Sequence, residues 1–233
     1  MKNRKHFLLG AGIIVFPIII FYMLNVGIPQ YGTLPIFGEK IEPNGADVKD
    51  TIYYQIPNFK VVNQLGDTIT QENLNDGIYL ANFFFASCKD VCPSMNRRVK
   101  RVYDEMQELA YKNKAIAEKE GVPNTSIPVR FISFTVDPEN DSVPVLAAYA
   151  KRFEVKDNWY FTTAGKEAIF NVGRGFLLPV SIEDRTIDHS QQILLIDKQN
   201  RIRGMYNTLD DSEMKRLQGE IKVLLYEYTQ HNQ

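Results

Sequence analysis

The sequence predicts an α/β domain, a central sheet covered by helices on both faces, behind one N-terminal membrane-spanning helix. Three observations predict it. Continuous apolar runs, "GIYLANFFFAS" and "VRFISFTV", have the character of strands buried on both faces. Segments of helical period alternate with them, and such alternation builds a sheet flanked by helices. The chain also opens with a long uncharged run.

That run, "FLLGAGIIVFPIIIFYMLNVGI", covers Phe7–Ile28 behind a leader of residues 1–6. At about 1.5 Å per residue it spans about 33 Å, enough for a bilayer core. A cleaved signal peptide is the competing reading, but its apolar region is shorter and ends in small residues. "LNVGIPQYG" makes a poor cleavage site, and no cysteine is present here to take a lipid. Lys2, Arg4 and Lys5 precede the span, and no basic residue follows it until Lys40. The positive-inside rule then leaves the N-terminus in the cytoplasm and the bulk of the chain outside. In a bacterium with two membranes this is a single-pass inner (cytoplasmic) membrane protein with its soluble domain in the periplasm. Pro17 is tolerated as a kink in such a helix.

Residues 29–50 are rich in Pro, Gly and charge and read as a linker, partly draped on the domain. Residues 51–230 form the domain. "FKVVNQLGDTIT" reads as two short strands around a turn. After "GIYLANFFFAS", Met95, Val99, Val102, Met106 and Leu109 recur at helical spacing, and "AEKEGVPNTSIP" breaks that helix. After "VRFISFTV", Asp141 or Ser142 caps a second helix with Pro144 in its first turn and Leu146, Tyr149, Ala150 and Phe153 on one face. "WYFTTA" is a short strand and "KEAIFNVGRGF" a short helix. "QQILLID" and "RIRGMYN" form a hairpin. A last helix starts near Asp210, with Glu213 as capping partner and Met214, Leu217, Ile221, Leu224, Leu225 and Tyr228 as its buried stripe. A thioredoxin-like sheet is one member of this class, and the alternation alone does not single it out.

The net charge is -1, and the basic leader leaves -4 on the remaining 205 residues, which argues against nucleic acid as a partner. A domain of roughly 180 residues buries a full core without staples. The only two cysteines, Cys88 and Cys92, are therefore free to serve function. They sit between a buried strand and a helix, where ligand sites of open α/β sheets gather. Pro93 marks a helix start, with Cys92 as its cap and Cys88 in the turn before. Both sulfurs are expected at a helix N-terminus, where the dipole favours thiolate. Their spacing permits a disulfide or two thiolates on one soft metal ion: Cu(I), zinc or iron–sulfur. Two cysteines are too few for an ordinary cluster or structural zinc site. An inert disulfide is the bland reading. His189 is the one histidine inside the domain, since His6 lies in the leader and His231 in the tail. A single histidine is ordinarily a surface or hydrogen-bonded residue. With two sulfurs it would complete the donors of a Cu(I) or blue-copper-like Cu(II) site.

"SCKDVCPSM", "FTVDPENDSVPVLAAYAKRF" and "DHSQQILLID", in this order behind one span, resemble the Sco/SenC family, over roughly residues 52–228. The resemblance implies a membrane-tethered thioredoxin-like domain that binds copper and assists assembly of the Cu(A) centre of cytochrome c oxidase. It implies Cys88, Cys92 and His189 as copper ligands and Asp137 as an auxiliary acid. Asp137 also reads as an ordinary turn or capping aspartate. The implied partners are the copper-accepting oxidase subunit and a thiol reductant protein that keeps the cysteines reduced. Lys89 and Asn140 depart from the family pattern, in which Pro and Arg stand there, and Ser142 stands for Thr. A metallochaperone is not an enzyme. The main rival is one: a thiol-disulfide oxidoreductase whose redox-active pair is Cys88 and Cys92. A peroxidase would need an activating arginine that no pattern here supplies, although Arg97 and Arg98 are nearby in sequence.

Overall fold

The structure, a computed structural model, describes residues 33–41, 51–181, 186–187 and 191–230. The leader and the span over 7–28 lie outside the described residues. Among the described residues no helix is long and apolar enough to cross a membrane.

In chain order the elements are β1 (Lys40–Ile41), β2 (Ile52–Tyr53), β3 (Lys60–Asn63), β4 (Thr68–Thr70), a 3-10 turn (Gln71–Leu74), β5 (Ile78–Phe84), α1 (Val91–Glu120), β6 (Val129–Thr135), α2 (Val143–Arg152), β7 (Trp159–Thr163), α3 (Lys166–Gly175), β8 (Val180–Ser181), β9 (Thr186–Ile187), β10 (Gln192–Ile196), β11 (Ile202–Asn207) and α4 (Asp211–Gln230). Seven strands form one mixed, thioredoxin-like sheet in the order β11-β10-β5-β6-β7-β3-β4. The central β5, β6 and β7 are parallel. β10 runs antiparallel to β5, and β3 antiparallel to β7. The two-residue ribbons β1–β2 and β8–β9 are too short to leave a periodic signal in the sequence.

The sheet is central because β5, third of its seven strands, is covered on both faces: all seven of its residues are buried. Leu80 and Phe84 face one core, where Met95, Val99 and Met106 of α1, Leu146 and Tyr149 of α2, and Leu217 and Ile221 of α4 pack. Tyr79 and Phe83 face the other, against Ile169 and Val172 of α3 and the following Phe176. Helices thus cover both faces, three on one and one on the other. Gly77 is required just before β5, because a Cβ there would lie 2.2 Å from the Pro128 carbonyl oxygen.

α1 is longer than its apolar stripe predicts. "AIAEKE" stays helical, and Gly121 stops it in the left-handed region (φ 68°), with the Val122 N–H on the Ala117 carbonyl. Asp210 caps α4 by accepting the N–H of Ser212 at 2.7 Å and of Glu213 at 3.3 Å. The Glu213 carboxylate takes Arg216 instead of closing a capping box. Part of the expected linker is draped on the domain. The Phe37 N–H bonds the Ile202 carbonyl (2.8 Å), and Arg203 holds the carbonyls of Leu34 (2.8 Å) and Pro35 (3.1 Å).

One buried polar chain crosses the first core. The Trp159 indole N–H donates to Ser133 Oγ (2.9 Å), which donates to Asn82 Oδ1 (2.6 Å). Asn82 Nδ2 donates to Asn96 Oδ1, and Asn96 Nδ2 to Tyr149 Oη, each at 3.0 Å. Every member is buried and hydrogen-bonded, which is the condition for polar groups to persist in a core. The chain joins β7, β6 and β5 to α1 and α2 beneath the cysteines.

Candidate functional site

β5 delivers the cysteines. Its last residue, Phe84, ends the ladder with β6 opposite Thr135. The chain then turns, with the Cys88 N–H on the Phe85 carbonyl (3.2 Å), and enters α1 at Val91. Cys92 lies inside the first turn of α1 and Asp90 precedes it as cap, two positions earlier than Pro93 alone suggests. Proline is tolerated there because the first four N–H groups of a helix have no intrahelical partner. One of those free groups is put to use: the Cys92 N–H points at Cys88 Sγ, 3.3 Å away.

Both cysteines are reduced. Their surroundings differ sharply. Cys88 is partly exposed at the tip of the turn, ahead of the helix. Burial tends to raise its pKa. The N–H groups of Cys92, Asp90 and Val91 and the Cys92 thiol more than offset this, so Cys88 sits below the ordinary thiol range. Cys92 is only 2% exposed and packs with Met95 and Tyr149 in the core. Burial dominates and pushes it up to about 12. The Phe85 N–H opposes that rise, and the neighbouring Cys88 adds to it. The expectation that the helix N-terminus favours thiolate at both sulfurs therefore holds for Cys88 and fails for Cys92. The amides converge on the sulfur ahead of the helix, whereas the sulfur on its buried flank meets hydrocarbon.

Asp137 sits in the turn after β6. Its two carboxylate oxygens accept from Asn140 Nδ2 at 2.9 and 3.0 Å, so the departure at Asn140 supplies this acid's partner. Among the described residues no group of three or more His, Cys, Asp or Glu side chains could hold a metal ion, and Asp137 completes none with the sulfurs. His189 lies outside the described residues. The strand that follows it is described: Ile193 of β10 pairs with Asn82 of β5, and Ile196 with Tyr79. β10 therefore begins at the end of the sheet from which the cysteine turn leaves. This placement depends on strand register and could not be read from sequence separation.

Of the two cap candidates read from sequence, Asp141 and Ser142, Asp141 does something else. Ser142 takes the cap position, and the Asp141 carboxylate turns inward to accept the Ala86 N–H (3.0 Å) and the Thr135 hydroxyl. A groove of about 440 Å³ runs beside the cysteine turn, between Ala86 and Ser87 and the α2 residues Pro144, Val145 and Tyr149.

Residues 51–224 match the SCO1/SenC family model. This chain belongs to the SCO1/SenC family. The Sco chain is 28% identical over 184 residues to the SCO1 protein homolog of Bacillus subtilis (strain 168), covering 76% of this chain and 86% of that protein. Two solved structures share its fold. BsSco is described as a member of the Sco family of cytochrome c oxidase assembly proteins with a disulfide switch. It aligns with TM-score 0.57 at 24% identity, over 74% of this chain and 94% of its own. Arabidopsis thaliana ScoI, crystallised with copper bound, aligns with TM-score 0.55 at 23% identity, over 72% and 96%.

Proposed function

We propose that this Sco-family protein is a copper metallochaperone that assists assembly of the Cu(A) centre of cytochrome c oxidase. Copper is its cargo, held by the thiolates of Cys88 and Cys92 and the imidazole of His189. One observation carries the reading: two reduced thiols, one of them partly exposed, stand together at the carboxyl end of the central strand, within hydrogen-bonding reach of each other. Paired sulfurs are soft donors that select Cu(I). A third donor is needed, and β10 begins at the same end of the sheet, a few residues after His189. The copper-bound ScoI structure and the oxidase-assembly description of BsSco point the same way.

The asymmetry of the sulfurs suits capture and release. Cys88 is available as thiolate for a first bond, and loading Cys92 expels its proton. The partly exposed side lets the ligands of an acceptor, the copper-accepting subunit of the oxidase, enter one at a time. A disulfide between the two cysteines abolishes binding, so a thiol reductant protein is the second partner. Asp137 is at most an auxiliary donor for Cu(II), after leaving Asn140. The uncharged run over 7–28 anchors the chain in the inner membrane with this domain on the periplasmic side.

The test is anaerobic Cu(I) titration of the full chain in detergent. One ion per chain is expected, with Cys88→Ser and Cys92→Ser each abolishing binding and His189→Ala weakening it severely. Full affinity in either cysteine variant ends the proposal.

The divided pKa values favour a second reading, thiol-disulfide oxidoreductase. Cys88 thiolate would attack a substrate disulfide and expel one substrate thiolate. Cys92, losing its proton, would then attack Cys88 Sγ and release the second, leaving Cys88–Cys92 oxidised by two electrons. His189→Ala separates the readings: dithiol exchange survives it under this one.

A further inference from the structure

The geometry points to Asp141 as a positioning residue: its buried carboxylate sets the height of the cysteine turn and thereby the aim of Cys88. Its consequence for copper rests on the metallochaperone reading; the positioning itself does not.

The argument begins where the strand ladder stops. The Phe84 carbonyl still accepts a backbone bond, from the Val136 N–H at 2.8 Å, and Phe84–Thr135 is the last β5–β6 pair. Two residues on, the Ala86 N–H is past the sheet, and Asp141 Oδ2 receives it at 3.0 Å. The same oxygen accepts the Thr135 hydroxyl, and Thr135 Oγ1 accepts the Asp137 N–H at 3.0 Å. One oxygen thus ties together the stem of the cysteine turn, the end of β6 and the entry to α2. Asp141 is 1% exposed. A carboxylate that deep is costly unless hydrogen-bonded, and Asp141 does not occupy the cap position of the helix that follows, which is held by Ser142. Its retained contacts bear on the turn that carries Cys88. From Ala86 the chain has only Ser87 before Cys88, so fixing the Ala86 amide fixes where that sulfur stands relative to the Cys92 N–H.

The experiment compares wild type, Asp141→Ala and Asp141→Asn as full chains in detergent, reduced and anaerobic. Asparagine keeps a carbonyl oxygen that can accept both bonds. In metal-free protein at one fixed pH, Asp141→Ala slows iodoacetamide alkylation of Cys88 about fivefold or more, and Asp141→Asn restores it to within about twofold. Cu(I) affinity, measured by competition with a chromogenic chelator, falls about 10-fold or more in Asp141→Ala and recovers in Asp141→Asn. Wild-type alkylation and affinity in Asp141→Ala, with only a lower melting temperature, overturn the inference. So does an Asp141→Asn variant as impaired as alanine. If wild type takes no Cu(I), the copper reading falls alone and alkylation still decides Asp141. If Asp141→Ala does not fold, amide exchange at Ala86 in wild type decides: protection supports the tie, and exchange at the unprotected rate overturns it.

Discussion

The backbone N–H of Cys92 aims at the sulfur of Cys88 across 3.3 Å, while the sulfur of Cys92 itself is turned into the core. The residue that stabilises a thiolate on its neighbour is thus the one whose own thiol resists ionisation. Cys88 lies below the ordinary thiol range and Cys92 is pushed up to about 12.

Alkylation reads this division directly. Reduced, metal-free protein treated with iodoacetamide near neutral pH should modify Cys88 about tenfold or more faster than Cys92, since thiolate fraction and access both favour it. Peptide mapping of singly labelled protein checks the order. Predominant labelling of Cys92 would contradict the structure.

Alkaline pH should destabilise the fold through Cys92. Its folded pKa is raised, so the stability it contributes is complete below its unfolded value of 9.0 and is lost as pH rises toward about 12. Burial raises Tyr149 and Tyr206 above 10.0, with the same sign. Cys88 has the opposite sign: lowered in the fold, it contributes above pH 9.0 and loses this as pH falls through its folded value. Within the window above pH 9, urea unfolding of wild type should fall more steeply with pH than that of Cys92→Ala, by up to about 1.4 kcal/mol per unit. Parallel profiles would show that Cys92 ionises as freely folded as unfolded.

The polar chain under the site should be stiff and expensive to break. Asn96 is fully buried and bonds both Asn82 and Tyr149. Asn96→Ala removes one member and strands two partners, at a cost of about 2–4 kcal/mol in urea denaturation. A loss under about 0.5 kcal/mol would mean that water replaces the side chain without penalty.

At the far edge of the sheet, Arg203 should hold the N-terminal segment. It is 3% exposed and pairs with Asp197 at 3.2 Å and Glu227 at 2.8 Å, besides the carbonyls of Leu34 and Pro35. Arg203→Met leaves fully buried Asp197 with Arg201 alone, and should cost about 3 kcal/mol. Amide exchange at Leu34 and Phe37 should accelerate in the same variant. Unchanged exchange there would assign the segment's order to other contacts.

The sequence by itself determined the longer elements and their kind, though not the two-residue ribbons. Runs such as Ile78–Phe84, and the stripe from Met95 to Met106, carry their period in consecutive residues, so strand and helix are legible locally. It also determined that Cys88 stands between a strand and a helix, whereas Cys92, expected as that helix's cap, lies in its first turn. Only the tertiary structure decided the strand order, in which β10 lies beside β5 although more than a hundred residues separate them. Only it turned Asp141 inward, laid residues 34–37 on β11, and ranked the two sulfurs. These outcomes depend on burial and on hydrogen-bond partners brought from distant positions. A dipole argument from chain order assigns the same pull to both thiols, and the low-dielectric core around one of them reverses it.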